Sequence, residues 1–238
     1  MKPSILARID VGRIVMVPTA CAILFIDAVS LAHGAGKSGA DPLRLSGAAL
    51  VLAFYLVLIW CYLRRGPATA TSTSVTAHAA AIVATWLPFA LPLLHGAPAG
   101  PARQIASDLL VVSGTAWSVW TLRSLGRSVA VLAQARELVD RGPYKWVRHP
   151  LYTGEIVSSL GVAIAMNSLA ALACWIGLCG LQVYRALREE QVLLESLPAY
   201  HEYRDRTAAI LPGLALRRAR PRTRSTSPVV SERASSTP

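Results

Sequence analysis

Charge is scarce in this 238-residue chain. Asp, Glu, Lys and Arg make up 16% of it, where about a quarter is usual for a soluble domain. Acidic side chains are the rarer sign, 13 against 24 basic, so the net charge is +11. Cysteine is sparse too. Cys21, Cys61, Cys174 and Cys179 form no CxxC pair and no Cys/His spacing that suits zinc, which excludes a disulfide framework and a zinc finger and leaves no metal site to expect. All four lie in apolar runs and read as small core hydrophobes. No GxGxxG follows a strand-like segment, so no Rossmann unit is visible and a nucleotide-like cofactor must be held another way. Gly34-Ala35-Gly36-Lys37-Ser38 has the look of a phosphate loop, but Leu31 stands where that motif requires glycine and an apolar run replaces the preceding strand. The basic excess does not indicate nucleic acid either. It is distributed between apolar runs and in the tail, which is the pattern of membrane topology.

What the chain has in quantity is apolar sequence: 53% hydrophobic residues and a mean hydropathy of +0.44. Candidate spans fall at about 14–32, 45–63, 77–95 and 105–122, each near the ~20 residues that cross hydrocarbon. A longer stretch, 151–184, is interrupted at Asn167-Ser168 and reads as a helical hairpin. The expectation is an all-α polytopic membrane protein of about six transmembrane segments ending in that hairpin. Six crossings put both termini on one side. Of the 24 basic residues, only Lys37, Arg44 and Arg103 then fall on the other side, so the positive-inside rule gives N-in and C-in; the Ala/Arg-rich, Asn-poor composition points to a bacterial cytoplasmic membrane. The first apolar run is long for a signal peptide and is read as a retained span. Its Asp27 should face the bundle, not lipid. The chain divides into N-terminal transmembrane helices (1–122), a catalytic region (123–213) and a disordered basic tail (214–238).

The chemistry-bearing stretch is Gly142-Pro143-Tyr144-Lys145-Trp146-Val147-Arg148-His149-Pro150-Leu151-Tyr152-Thr153-Gly154. It is polar and aromatic, and it is wedged between two apolar runs. Pro150 suits the first position of a helix, whose N-terminus can seat an anionic group. Gly154 leaves room for close approach. After the hairpin comes a second polar cluster, Arg185 to Glu190, which the hairpin returns to the depth of the first. Arg185 and Glu189 are four apart and share a helix face, with Glu190 off it. Taken singly, each cluster has an ordinary explanation: an interfacial aromatic belt of Tyr144, Trp146 and Tyr152, and a surface ion pair. Polar groups held together at a membrane boundary point instead to function.

Leu125-Gly126-Arg127, Arg136-Glu137-Leu138-Val139, Gly142-Pro143-Tyr144, Arg148-His149-Pro150-Leu151-Tyr152-Thr153-Gly154, Arg185 with Glu189-Glu190, Tyr200-His201-Glu202-Tyr203 and Leu211-Pro212 resemble the isoprenylcysteine carboxyl methyltransferase and phospholipid methyltransferase superfamily over about 120–213. The resemblance implies an integral-membrane enzyme that uses S-adenosylmethionine without a Rossmann fold. It implies cofactor contacts from Arg136, Glu137, Leu138, Val139, Tyr144, His149, Pro150, Leu151, Tyr152, Glu189 and Glu190, and catalytic or acceptor roles for Arg185 and Glu189. Two positions depart from the family pattern: Arg136, where His or Lys is common, and Leu197-Pro198, where Phe-Gly is usual.

These residue types suit methyl transfer. Carboxylates and tyrosine faces attract a sulfonium, and arginines take a carboxylate. The expected acceptor is lipidic or amphipathic, and the bilayer is the expected partner. A carboxylate acceptor, as in the isoprenylcysteine enzymes, needs a cation but no base, and Arg185 supplies the cation. A phospholipid amine is the alternative and requires proton removal by Glu189 or His149. Sterol and isoprenoid reductases that use NADPH share Arg-His-Pro-x-Tyr but carry Asn before the Tyr, where this chain has Leu151. A non-enzymatic membrane scaffold is the remaining rival.

Overall fold

In the computed structural model, residues 11–35, 42–65, 70–71, 74–128, 134–135 and 138–210 are described. Proline, glycine and asparagine divide them into elements. Helix α1 (Val11–Ala35) leads to α2 (Pro42–Arg64), which opens on a proline, a residue whose missing N–H is not needed in a first turn. Ser74 caps α3 (Val75–Trp86), its Oγ accepting from the Ala77 N–H at 3.3 Å. The span expected over 77–95 does not stay α-helical. It tightens into a 3-10 segment, Leu87–Leu93, because Pro88 and Pro92 cannot donate to an α-helical ladder. Helix α4 (Pro101–Leu125) also starts on proline and stops at Gly126, φ +54°. Helix α5 (Pro150–Met166) stops at Asn167, whose left-handed φ of 47° makes the hairpin turn. The return helix α6 (Leu169–Ser196) runs well past the expected end at 184. At 28 residues it is roughly 42 Å long, more than the ~30 Å of hydrocarbon, so Arg185 to Glu190 sit inside a helix that projects out of the apolar layer. A short helix, α7 (Ala199–Arg206), follows. The two-residue strands β1 (Ala70–Thr71) and β2 (Gln134–Ala135) pair antiparallel between loops.

Five of these segments are long and apolar enough to cross a bilayer, and α5 is a shorter apolar helix between them. This is the all-helical polytopic membrane architecture expected. Large apolar side chains such as Phe25, Ile82 and Ile176 point outward, as a lipid-facing surface requires. The cysteine expectation needs one correction: Cys61 is buried, but Cys21 lies on the exposed face of α1. Asp27 is half-buried on α1, within electrostatic reach of Tyr55 on α2.

The tightest helix pair is α4 with α5. A Cβ on Gly114 would lie 2.5 Å from the Ser158 nitrogen, and one on Gly161 would lie 2.7 Å from the Ser107 carbonyl. Gly154 is pressed against Ser118 Oγ and the Gly114 carbonyl. Small residues that let backbones touch are the usual glue between helices in lipid. Ser107 Oγ adds a 2.7 Å bond to the Gly161 carbonyl.

The connections sort to two ends. At one end, Arg13 donates to the Arg65 carbonyl at 3.0 Å, and Trp117 Nε1 donates to the Pro150 carbonyl at 2.8 Å. At the other, the Gly96 N–H reaches the Met166 carbonyl at 2.7 Å, and Asn167 Nδ2 reaches the Ala97 carbonyl at 3.0 Å. The chain's tail beyond 210 lies outside the described residues.

Candidate active site

The 142–154 stretch folds as a 3-10 turn, Gly142–Lys145, made possible by Gly142 at φ +60°, followed by an extended passage into α5. Its three aromatic rings separate. Trp146 is half exposed and meets Trp117 and Trp120 with centroids 6.2 and 5.6 Å apart, so the interfacial-belt explanation fits this residue. Tyr144 and Tyr152 instead turn into a cavity.

The segment after α7 holds this passage in place. The Arg148 and His149 N–H groups donate to the Ala208 and Ala209 carbonyls at 2.8 and 3.0 Å, and Val147 and Ala208 form a parallel bridge. The Arg148 side chain fixes three things. Its Nε donates to Glu190 Oε1 at 2.7 Å, and its Nη1 donates to the carbonyls of Arg204 and Thr207. Tyr203 adds a bond from its hydroxyl to the Tyr144 carbonyl at 2.7 Å.

The adjacent glutamates have different surroundings. Glu190 is 6% exposed and faces Arg148, His149 Nε2 at 3.2 Å and Arg204 Nε at 3.6 Å. It lies behind the cavity wall. Glu189 is in the wall, where Oε2 accepts from the Tyr152 hydroxyl at 2.9 Å and stands 3.7 Å from His149 Nδ1. His149 therefore bridges the two carboxylates, and its ring lies parallel to that of Tyr152, centroids 5.5 Å apart. On α6, Arg185 places its guanidinium carbon 4.7 Å over the Tyr152 ring.

The smaller cavity, about 90 Å³ and of mixed polar and apolar lining, is bounded by Leu138, Val139, Tyr144, Arg148, His149, Leu151, Tyr152 and Glu189. Pro150 is buried at the start of α5 and stays behind that wall. Arg136 and Glu137 lie outside the described residues. The sequence reasoning gave no site role to six wall residues. Leu125 and Arg148 stood in the family-like motifs without one, and Ser128 and Leu193 carry no signal. Tyr200 and Tyr203 had one, a polar aromatic helix just after the hairpin. Both phenols are held well above the usual phenol range, chiefly by burial; the Glu190 carboxylate adds to this at Tyr200.

A second cavity, about 260 Å³ and mostly apolar, opens among α1 to α6. Its polar end carries Glu155, Arg185 and Tyr152. Tyr152 and Leu151 belong to both cavities, so a single turn of α5 is the wall between them.

Residues 102–198 match the phospholipid methyltransferase family. Over that stretch the chain is similar to the integral-membrane methyltransferases. Among curated relatives, the nickel-cobalt-cadmium resistance protein NccN of Alcaligenes xylosoxydans xylosoxydans is 33% identical over 105 residues, 42% of this chain and 49% of that protein. The cobalt-zinc-cadmium resistance protein CzcN of Cupriavidus metallidurans is 37% identical over 83 residues, 34% of this chain and 38% of that protein. The alignments thus span half or less of the relatives' length. A solved structure of a eukaryotic intramembrane Ras methyltransferase, isoprenylcysteine carboxyl methyltransferase, superposes with a TM-score of 0.48 at 20% identity, covering 82% of this chain and 75% of that one.

Proposed function

We propose that this membrane methyltransferase passes a methyl group from S-adenosylmethionine, held in the polar cavity, to an amphipathic acceptor whose apolar part occupies the larger cavity. The observation that carries this reading is the shared wall: a smaller, more polar cavity and a larger, mostly apolar one meet at Tyr152. The donor set suits the cofactor. Glu189 and the faces of Tyr144 and Tyr152 favour a cation, Arg148 and the start of α5 favour a carboxylate, and Leu138, Val139 and Leu193 offer apolar cover. The polar cavity is smaller than the ~300–1,000 Å³ of most ligand clefts, so its wall has to part on binding; the Tyr152–Glu189 bond is the contact best placed to yield.

The cofactor supplies an electrophilic methyl on sulfur. The protein's own work is alignment. His149, stacked on Tyr152 and tied to Glu190, fixes the ring that separates the reactants, and the apolar cavity keeps water from the transfer. In-line displacement rewards such positioning above other effects. Glu190, with Arg148 and Arg204, acts as the buckle of the site and not as a cofactor ligand.

For the acceptor, Arg185 at the polar end of the apolar cavity favours a carboxylate, the isoprenylcysteine-like reading, with no base required. The phospholipid family match favours the second reading, a lipid amine. The two are separated by supplying labelled S-adenosylmethionine with a farnesylcysteine analogue or with phosphatidylethanolamine. Base-labile label on the analogue supports the carboxylate; base-stable label on the lipid supports the amine. Failure of the detergent-solubilised protein to bind S-adenosylmethionine in calorimetry would sink both. The metal-resistance names of the two relatives suggest a cellular role as well: loss of the protein should lower tolerance to cobalt or nickel, and the Glu189→Gln variant should not restore it.

A further inference from the structure

One buried amide remains without a role. Gln182, one turn before Arg185 on α6, is 0% exposed and lines neither cavity. Its Nε2 donates to Glu155 Oε2 at 2.5 Å, and its Oε1 accepts from Arg185 Nη1 at 3.0 Å. The amide has no freedom to turn over. A guanidinium only donates, so the amide oxygen must face Arg185 and the amide nitrogen must face Glu155. A continuous line of contacts results. It runs from Glu155 through Gln182 to Arg185, over the ring of Tyr152, and from the Tyr152 hydroxyl to Glu189. Its first member belongs to the acceptor cavity and its last to the cofactor cavity.

We propose that Gln182 is the positioning residue of the acceptor site: its amide ties Arg185 to Glu155 and so sets the guanidinium against Tyr152. Arg185 has a long stem whose guanidinium already lies over the Tyr152 ring. The amide adds a directional bond to that end and anchors itself with another on a different helix. Glu155 contributes a fixed acceptor on α5, the helix that carries Tyr152, so the guanidinium and the ring are referenced to the same element. Gln182 touches no ligand in this scheme and acts only through its two neighbours.

The inference rests on the proposed methyl transfer, and its test separates the two. Kinetics are measured in detergent with labelled S-adenosylmethionine and whichever probe the wild type methylates, the farnesylcysteine analogue or phosphatidylethanolamine. Cofactor affinity is measured in parallel by calorimetry. Gln182→Leu strands two buried polar partners and should lower acceptor kcat/KM by about tenfold to a hundredfold, with cofactor affinity unchanged. Gln182→Glu sets two carboxylates against each other and should lose at least as much. The exchanged pair, Glu155→Gln with Gln182→Glu, recreates both bonds: the new amide at 155 donates to the new carboxylate at 182, which accepts from Arg185. It should recover about tenfold over Gln182→Glu alone. This isosteric exchange keeps the test decisive if Gln182→Leu fails to fold. Acceptor kinetics unchanged in Gln182→Leu, cofactor affinity falling in step with them, or no recovery in the exchanged pair would each overturn the positioning role. A wild type that methylates neither probe would overturn the proposed function itself, and the positioning role with it.

Discussion

Neighbouring glutamates with different surroundings give the sharpest contrast at the scale of single residues. Glu190 is enclosed by Arg148, His149 and Arg204, while Glu189 offers its carboxylate to the cavity. Removing one partner of a buried pair leaves an uncompensated charge and costs roughly 3–5 kcal/mol. Glu190→Ala should therefore lower the thermal unfolding temperature in detergent sharply, whereas Glu189→Gln should hold stability and weaken cofactor binding by about tenfold or more. Equal stability losses in the two variants would contradict this division. His149→Ala and Tyr152→Ala should also weaken cofactor binding by about tenfold, read by the same calorimetry. Arg185→Ala should abolish turnover with cofactor binding intact, and Lys at 185 should restore only part of it. The buried phenols of Tyr200 and Tyr203 respond to pH. Each is raised above the ionisation range of the unfolded chain, so each contributes stability below about pH 10 that is lost as pH rises toward the folded value. Absorbance at 295 nm should show these phenolates forming only together with unfolding.

At the scale of helices, starts and stops were legible and pairings were not. Pro150 opens a helix and Asn167 makes the turn, both as expected, because those residues act through their own backbone; Pro42 and Pro101 open helices a few residues before the expected starts at 45 and 105. The 3-10 segment at 87–93 and the extension of α6 to Ser196 were missed. The first depends on two prolines inside an apolar run; the second depends on α6 continuing out of the hydrocarbon with charged residues still in register. The meeting of Glu155 with Gln182 joins positions 27 apart on different helices, and no local pattern encodes it. The hairpin did predict that Glu189 would reach the 142–154 stretch, since a turn at Asn167 brings the two ends of α5 and α6 back to one depth. The close contact of α4 with α5 yields its own prediction. Gly161→Ala would force its Cβ against the Ser107 carbonyl, an overpacking that typically costs ~1–3 kcal/mol. The expected result is a lower unfolding temperature together with poorer acceptor kinetics, because the apolar cavity lies along the same helices. A variant as stable as wild type would mean that the pair has slack to separate.

For the molecule as a whole, the two ends of the bundle differ in charge. The end that carries Arg13, Arg65, Arg148, Arg204 and Arg206 also carries the smaller cavity, and the positive-inside rule predicts a cytosolic side for that end, the side on which the proposed cofactor would be supplied. Reporter fusions at residue 100 and at the C-terminus should read outside and inside respectively. A C-terminal reporter on the outside would separate the cavity from its cofactor and overturn the orientation.

The pairing of residues 208 and 209 with residues 148 and 149 also bears on how the protein is made. A ribosome completes all six apolar helices before it adds Thr207, Ala208 and Ala209, whose carbonyls hold Arg148 and His149. A nascent chain can therefore be inserted in the bilayer and still lack the pairing that holds the cavity wall. A stalled or clipped chain ending before Thr207 would be a membrane passenger whose 147–149 segment has lost its support.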